Sequence, residues 1–103
     1  MIKIEKADTF FKRLRGLIGR KNLSQGRGLM IIPCNSIHML FMSFAIDAVF
    51  VDKNFVIKKI AQNLKPWTGF SICVGAWAVV EISAGESVRL NLQVGQTLEV
   101  EVV

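Results

Sequence analysis

The residues best suited to chemistry are concentrated in the stretch from Cys34 to Asp52. This stretch holds the only histidine of the chain, His38, and the aspartate Asp47 within an otherwise apolar run. A histidine beside a carboxylate can act as a general base or contact a ligand. Neighbouring strands could bring His38 to Asp47 or to the later Glu81, so we take these three residues as candidate acid–base groups. The structural alternative is a hydrogen-bonded histidine that holds two strands in register.

Cys34 and His38 could also take part in metal or thiol chemistry, but their spacing argues against both. Four residues along a strand span about 13 Å, whereas Zn–S and Zn–N bonds are about 2.3 and about 2.1 Å long. Adding Met42 as a soft ligand does not improve the spacing. A Cys–His nucleophilic pair meets the same objection, and the sequence supplies no third group to orient it. We therefore expect no metal site and no cofactor.

Asp47 lies between Ile46 and Ala48, where an unpaired buried carboxylate would cost several kcal/mol. Its obvious partners are Arg15 and Arg20, because a guanidinium group can bind a carboxylate through two parallel hydrogen bonds. We expect Asp47 to be paired with one of these arginines, with backbone N–H groups as further donors. The same arginines could instead hold an anionic substrate.

The segment over residues 34–42 predicts a strand, in which successive side chains point to opposite faces. The apolar face, which should meet the core, carries Ile37, Met39 and Phe41. The mixed face carries the polar and reactive groups. The candidate ligand contacts are Ser36, His38 and Met42 from this face, together with Arg15 and Arg20.

Period-two alternation and turn residues predict most of the other elements. Strands are expected at residues 2–5 (an edge strand), 28–32, 46–51, 55–60, 76–82 and 97–102, with a turn at 52–54 and a long loop over 64–75. A helix is predicted over 8–18, with Asp8 as its N-cap. Ser83 and Glu86 have the spacing of a capping box and predict a second, shorter helix up to about residue 92.

Length and composition indicate one domain over residues 1–103, because 103 residues that are 51% hydrophobic can form one core and not two. The predicted fold class is β-dominated α+β. We expect a single compact domain with a strongly twisted or partly closed antiparallel barrel-like sheet and one or two short helices. No apolar run approaches the roughly 18 residues of a membrane helix, so no membrane association is expected. The charged N-terminal segment and the two cysteines favour a reduced, cytoplasmic protein.

The net charge of +5 is unevenly distributed, because residues 9–46 contain six lysines and arginines and no acid. Such a basic block can attract nucleic acid or other anions. It carries no aromatic residues spaced to stack bases, since Phe10 and Phe11 suit the buried face of the predicted helix. We expect a solvated surface and no specific nucleic-acid binding.

The order and spacing of several short motifs match a known family: Arg15-Gly16-Leu17 with Arg20, Gly28-Leu29-Met30, Ser36-Ile37-His38, Met42, Ile46-Asp47 with Phe50, Leu64 with Pro66-Trp67, and Val80-Glu81-Ile82 with Ala84-Gly85. This set resembles domain of unknown function 192, a group of small uncharacterised prokaryotic proteins. The resemblance runs from about residue 7 to the C-terminus. It implies a compact β-rich domain and no particular activity. Ala45, Met39 and Gln96 stand where the family more often has proline, threonine and aspartate.

Two functions follow from these residues. The first is a non-catalytic binding or accessory module, in which the polar cluster around His38 contacts a small molecule or a protein partner. The second is an acid–base enzyme that uses His38 with Asp47 or Glu81 on a small anionic substrate held by Arg15 or Arg20. A pocket with acids converging on His38 would favour the enzyme.

Overall fold

A six-stranded mixed β-sheet forms the frame of the computed structural model, which describes residues 1–9, 12 and 16–103. The elements in chain order are β1 (Ile2–Ala7), β2 (Arg27–Ile31), β3 (Ser36–His38), β4 (Ile46–Val51), β5 (Ile57–Leu64), β6 (Phe70–Ile72), β7 (Ala78–Ser83), α1 (Glu86–Arg89) and β8 (Val100–Val102). The strand order in the main sheet is β5-β4-β7-β2-β1-β8, and β3 pairs with β6 in a separate two-stranded sheet. The described part of the chain is thus β-dominated, as predicted.

Strands β4 and β7 lie inside the main sheet because their sequences are apolar and rich in β-branched residues. Strand β4 is joined to β5 by a turn that the Asp52 carboxylate holds. Its Oδ1 accepts the backbone N–H groups of Asn54 at 2.9 Å and Val56 at 3.0 Å. The predicted hairpin is therefore confirmed, with its first strand at 46–51 as expected and its second beginning at Ile57 instead of residue 55.

Both faces of the main sheet are covered. Alternate residues of β4 separate them: Ala48 and Phe50 belong to a core that includes Ile37 and Met39 of the β3 region, on what we call the β3 side. Val49 and Val51 belong to a second core, on the α1 side. The residues packed against the second core include Leu90 and Leu92, which follow α1, and Trp77. A residue's parity in its strand therefore decides which side it serves.

The sheet differs from the prediction in its pairing and its closure. Strand β1 is not an edge strand, since it lies between β2 and β8 and runs parallel to both. The sheet is thus mixed instead of antiparallel. It is not closed into a barrel in the described part of the chain, where β5 and β8 form its edges. Backbone bonds from Leu98 N–H to Phe55 O (2.8 Å) and from Ile57 N–H to Gln96 O (2.9 Å) join the start of β5 to the segment before β8.

The predicted loop over residues 64–75 is wrong in part, because β5 continues to Leu64 and the loop contains strand β6. The last strand is shorter than predicted and begins at Val100. Met39 N–H donates to Gly69 O (2.9 Å), which fixes the entry to β6 beside the end of β3. The segment shows period-two alternation from Phe70 onward, but its apolar side chains face outward. The strand was therefore not predicted, because apolar residues were expected to face the core.

Residues 10, 11 and 13–15 of the predicted helix over residues 8–18 lie outside the described residues. Within it, Lys12 is helical and its N–H donates to Thr9 Oγ1 (3.2 Å). This is the contact of an N-cap residue, and it is made by Thr9 where the sequence predicted Asp8. Gly16 has a φ of +51°, and residues 16–19 form turns.

The predicted capping box at the second helix is wrong. Gly85 precedes α1 with a left-handed backbone and no side-chain cap, and α1 itself ends at Arg89. The Ser83 hydroxyl donates to Leu23 O (2.6 Å), so it is occupied elsewhere. Glu86 Oε2 accepts Gly26 N–H (3.1 Å) and both its oxygens bind Arg89. The buried Glu86 therefore joins α1 to the loop before β2.

Gly28 lies where the paired strands β2 and β7 approach each other closely. Its replacement tests the packing of the main sheet. A Cβ atom at this position would lie 2.9 Å from Glu81 O and 3.0 Å from Ile82 Cγ2. We expect Gly28→Ala to lower the free energy of unfolding by about 1–3 kcal/mol, because a backbone carbonyl cannot swing aside. Urea denaturation measures this change, with Ser24→Ala in an exposed loop as the control. Equal midpoints for Gly28→Ala and wild type would contradict the close approach.

Candidate functional site

Asp47 is 1% exposed and points to the α1 side of the sheet, where four donors surround its carboxylate. Oδ1 accepts Asn63 N–H at 2.9 Å. Oδ2 accepts the N–H groups of Gly85 (3.1 Å) and Ser87 (3.0 Å) and the Ser87 hydroxyl (2.6 Å). Asn63 has a φ of +53° at an irregularity in the β4–β5 pairing. The carboxylate therefore satisfies a β-bulge and the start of α1 together.

The expected backbone donors of Asp47 are confirmed, but the expected pair with Arg20 is wrong. Arg20 forms an ion pair with Glu5 on the other side of the sheet. The hydrogen bond from Arg20 is the main reason that the pKa of Glu5 lies below its usual range. Arg15, the other expected partner, lies outside the described residues. Among those that are described, Asp47 is satisfied by hydrogen bonds and not by an ion pair.

Glu81 lies on the β3 side of β7, opposite Ala48 on one neighbouring strand and Leu29 on the other. It is 5% exposed, and its Oε1 has no hydrogen-bond partner among the described residues. Burial raises the pKa of Glu81 to about 7, because removal from water penalises the charged carboxylate. Its Oε1 lies 3.9 Å from the point that a Cβ of Gly16 would occupy. Glu81 is thus a buried carboxyl that holds its proton more strongly than usual.

The three candidate acid–base residues do not converge. Asp47 pairs with Ile82, whereas Ala48 pairs with Glu81, so the two carboxyls point to opposite sides of the sheet. His38 is exposed on β3, and its neighbour Ile37 is the residue that faces the core. The imidazole therefore points away from the layer that contains Glu81.

The two-stranded sheet presents an exposed apolar face around His38. Its inward residues, Ile37 and Ser71, are buried, while the residues before and after each of them are exposed. Six large apolar side chains on this sheet and its flanking loops are 46–89% exposed: Leu40, Phe41, Trp67, Phe70, Ile72 and Val74. We call this group, with Ser36 and His38, the β3–β6 surface. Groups of exposed large apolar side chains commonly mark interaction sites.

Phe41 and Trp67 form an aromatic pair at this surface. Their ring centroids lie 4.9 Å apart in an edge-to-face arrangement. Both residues have a positive φ, 65° for Phe41 and 70° for Trp67, which costs a bulky residue on the order of 1–3 kcal/mol. Trp67 N–H donates to Met39 O (2.7 Å), and a Cβ at Gly69 would lie 2.6 Å from Met39 Cγ. Both exposed rings are thus carried on strained backbone, and a backbone hydrogen bond to Met39 holds Trp67.

Ser36 and His38 place polar groups within the apolar face. Ser36 is paired across the strands with Ile72, and His38 with Phe70. His38 Nδ1 accepts the Leu40 N–H at 3.3 Å, so the other ring nitrogen, Nε2, carries a proton that it can donate. The surface therefore combines aromatic area with a hydroxyl and an imidazole N–H donor.

Met42 does not belong to this surface, although the sequence grouped it with Ser36 and His38. Met42 is 4% exposed and lies in the core, whereas Phe41, expected in the core, is 62% exposed. The turn at Leu40 and Phe41 breaks the strand and reverses the alternation. Of the predicted ligand contacts, Ser36 and His38 are brought together, Met42 and Arg20 are elsewhere, and Arg15 is outside the described residues.

The remaining candidate groups are dispersed. The structure shows no disulfide between Cys34 and Cys73, and Cys34 Sγ donates to Ser36 O at 3.0 Å. In the part of the chain described, no three His, Cys, Asp or Glu side chains are grouped to hold a metal ion.

A polar cavity of about 540 Å³ is lined by residues including Lys6, Lys12 and Arg20, but Arg20 is already paired there with Glu5. No helix within the described ranges is long and apolar enough to cross a membrane.

These features define a small β-rich domain with a buried, hydrogen-bonded aspartate and an exposed aromatic face. Comparison with protein families identifies its family: residues 1–100 match the model of DUF192, described as an uncharacterized ACR. The chain belongs to this family, as its motifs indicated. It is 32% identical over 105 residues to a UPF0127 protein of Thermococcus sibiricus, covering 97% of this chain and 67% of that protein.

Two crystal structures share the fold. A protein of unknown function from Novosphingobium aromaticivorans has a TM-score of 0.85 at 26% identity, over 93% of this chain and 73% of that one. A Sinorhizobium meliloti protein named as a candidate transcription regulator has a TM-score of 0.86 at 22% identity, over 93% of this chain and 79% of that one. The second likeness shows the fold alone.

Sequence reasoning missed most of the β3–β6 surface. It assigned Trp67, Phe70 and Ile72 to a loop and Phe41 to the core. The alternation of Phe70, Ile72 and Val74 with smaller residues could have indicated a strand. That these side chains face outward follows only from the packing of Ile37 and Met39 against the main sheet.

Removing the Asp47 carboxylate should destabilise the protein strongly. Asp47→Ala strands three N–H groups and a hydroxyl, so we expect a loss of about 3 kcal/mol or more in the free energy of unfolding. Asp47→Asn should also be destabilised, because its amide NH₂ would face donors. Urea or thermal unfolding measures both, with Glu101→Ala at an exposed position of β8 as the control. If both Asp47 variants unfolded like wild type, the structural role of this carboxylate would be refuted.

Glu81 should make stability fall as the pH rises. The pKa is about 7 in the folded chain against 4.5 for the free group, so folding retains a proton between these values. This contribution is complete below about pH 4.5 and is lost as the pH rises through about 7, an effect of up to about 3 kcal/mol. The pKa values of Glu5 and Glu86 are lowered instead, so their contributions are lost at more acidic pH.

We therefore expect Glu81→Gln to gain stability relative to wild type as the pH increases from 4.5 to above 7. Urea unfolding across this range measures the difference. Glu101→Gln, at an exposed position of β8, is the matched control and should follow wild type. Parallel pH profiles for Glu81→Gln and wild type would contradict the raised pKa.

Proposed function

We propose that this protein is a non-catalytic binding module and that it binds its partner through the β3–β6 surface around His38. The observation that carries the proposal is the Phe41–Trp67 pair, in which two exposed aromatic residues are held with positive φ. Strained backbone persists where the surrounding structure enforces it, and it clusters at binding and catalytic sites. Aromatic residues on a rigid support are also the usual anchors of protein interfaces.

The β3–β6 surface is suited to binding because its support is rigid while its side chains are accessible. Beneath it, Ile37 and Met39 are fixed in the core. Above it, Ser36 and His38 offer hydrogen bonds that can orient a partner on an otherwise apolar face. A partner that covers the exposed rings would gain hydrophobic free energy without a costly rearrangement of the protein.

The alternative is acid–base catalysis by His38 with Asp47 or Glu81 on a small anionic substrate. One property favours it: burial raises the pKa of Glu81 to about 7, a value suited to proton transfer at neutral pH. The geometry supports catalysis less. His38 points away from Glu81, and both carboxylate oxygens of Asp47 already accept hydrogen bonds. We therefore favour binding.

The proposal is tested by titrating ¹⁵N-labelled protein with small aromatic acids, amines and neutral aromatics while recording amide chemical shifts. We expect perturbations to concentrate at the amides of β3 and β6. Phe41→Ser with Phe70→Ser should abolish them while changing the unfolding free energy by no more than about 1 kcal/mol, because both side chains are exposed.

Val94→Ser is the matched control, since Val94 is also an exposed apolar residue at 63% and lies far along the chain from this surface. It should retain the perturbations of wild type. Perturbations confined to the amides around Glu81 and Gly16 would favour the enzyme and overturn the proposal. An absence of perturbation at β3 and β6 would also overturn it.

A further inference from the structure

The chain segment that forms the β3–β6 surface has an excess of positive charge. Residues 34–77 contain four lysines and two aspartates. Asp47 is buried, and Asp52 accepts two N–H groups of its own turn and pairs with Lys58, so neither presents a carboxylate to this surface. Lys59 Nζ donates to Ile72 O (2.9 Å), which places its ammonium group at the edge of β6. Lys65 is exposed at the start of the loop that carries Trp67.

The polar groups within the surface are arranged to meet acceptors. His38 Nδ1 is occupied by the Leu40 N–H, so Nε2 is the nitrogen left to donate a hydrogen bond. The Ser36 hydroxyl, opposite Ile72, can donate as well. Carboxylate and carbonyl oxygens fit these donors and also complement the lysines.

Resting on the proposed function, we propose that the partner is an acidic segment of another protein, in which apolar side chains lie between carboxylates. The apolar side chains would cover Phe70, Ile72 and the Phe41–Trp67 pair. The carboxylates would approach Lys59, Lys65 and the His38 Nε2–H. A peptide fits better than lipid acyl chains, because acyl chains would bury Ser36 and His38 without hydrogen-bond partners. A second copy of this chain fits less well, since two lysine-rimmed surfaces repel each other.

The experiment uses Trp67 as its own reporter. In a Trp77→Phe background Trp67 is the only tryptophan of the chain, and its emission is recorded while synthetic peptides are added. One peptide has a Leu-Phe-Leu centre flanked by aspartates. The second has lysines in place of the aspartates, and the third has serines in place of the apolar centre. Urea unfolding first verifies that Trp77→Phe is folded.

We expect the aspartate peptide to bind at least about tenfold more tightly than either control peptide, and more weakly as salt is added. Lys59→Gln with Lys65→Gln should weaken it several-fold, whereas Lys21→Gln, at an exposed lysine outside the surface, should not. Phe70→Ser should abolish binding, and Val94→Ser should leave it unchanged.

Other outcomes would overturn the inference. Equal affinity for the aspartate and lysine peptides would remove the role of charge. Vesicles of phosphatidylglycerol that shift Trp67 emission, without peptide binding, would assign the surface to a membrane. Concentration-dependent dimerisation lost in Phe70→Ser would assign it to a second copy. If the amide perturbations by aromatic fragments are observed but no peptide discriminates by charge, the binding surface stands and the acidic partner is wrong.

Discussion

The structure depends on the burial of β4 along its whole length together with the one charged side chain that this strand carries. All six residues of β4 are buried, because β5 and β7 flank it and both faces of the sheet are covered. A carboxylate in this position is tolerated only if the protein replaces the hydrogen bonds of water. Asp47 receives four such bonds, from the bulge in β5 and from the segment that opens α1. One side chain thereby fixes two irregular pieces of backbone against the centre of the sheet.

The two sides of the sheet are covered by different means, and this explains why one side presents an exposed apolar face. On the α1 side, Leu90 and Leu92 from the segment that follows α1 pack against the core. On the β3 side, a second and smaller sheet supplies Ile37 and Met39 to the core. A two-stranded sheet has two faces, so covering the core with one leaves the other exposed. In this protein the exposed face carries aromatic rings, a serine and the histidine.

The residues that carry the family resemblance fall into two groups, one within the main sheet and one at the β3–β6 surface. Gly28 and Asp47 serve the fold, one through close strand approach and the other through hydrogen bonds. The motifs Ser36-Ile37-His38 and Pro66-Trp67 are separated in the sequence, yet the Trp67 N–H bonds to Met39 O and joins them at one surface. Membership of this family therefore indicates no activity, but two of the family motifs meet at the β3–β6 surface.

The sequence by itself determined the β-dominated single domain, the β4–β5 hairpin and the need of Asp47 for partners. These follow from local pattern, because alternation, turn residues and a charge within an apolar run act over a few neighbouring residues. Only the tertiary structure decided that β1 lies inside a mixed sheet, that Ser87 and Asn63 replace Arg20 as partners of Asp47, and that Phe41 is exposed while Met42 is buried. Each of these depends on contacts between residues distant in sequence or on a single turn that reverses strand parity. The outward orientation of the apolar residues of β6 also depends on tertiary contacts. One face of the two-stranded sheet packs against the main sheet, and the other face is therefore exposed.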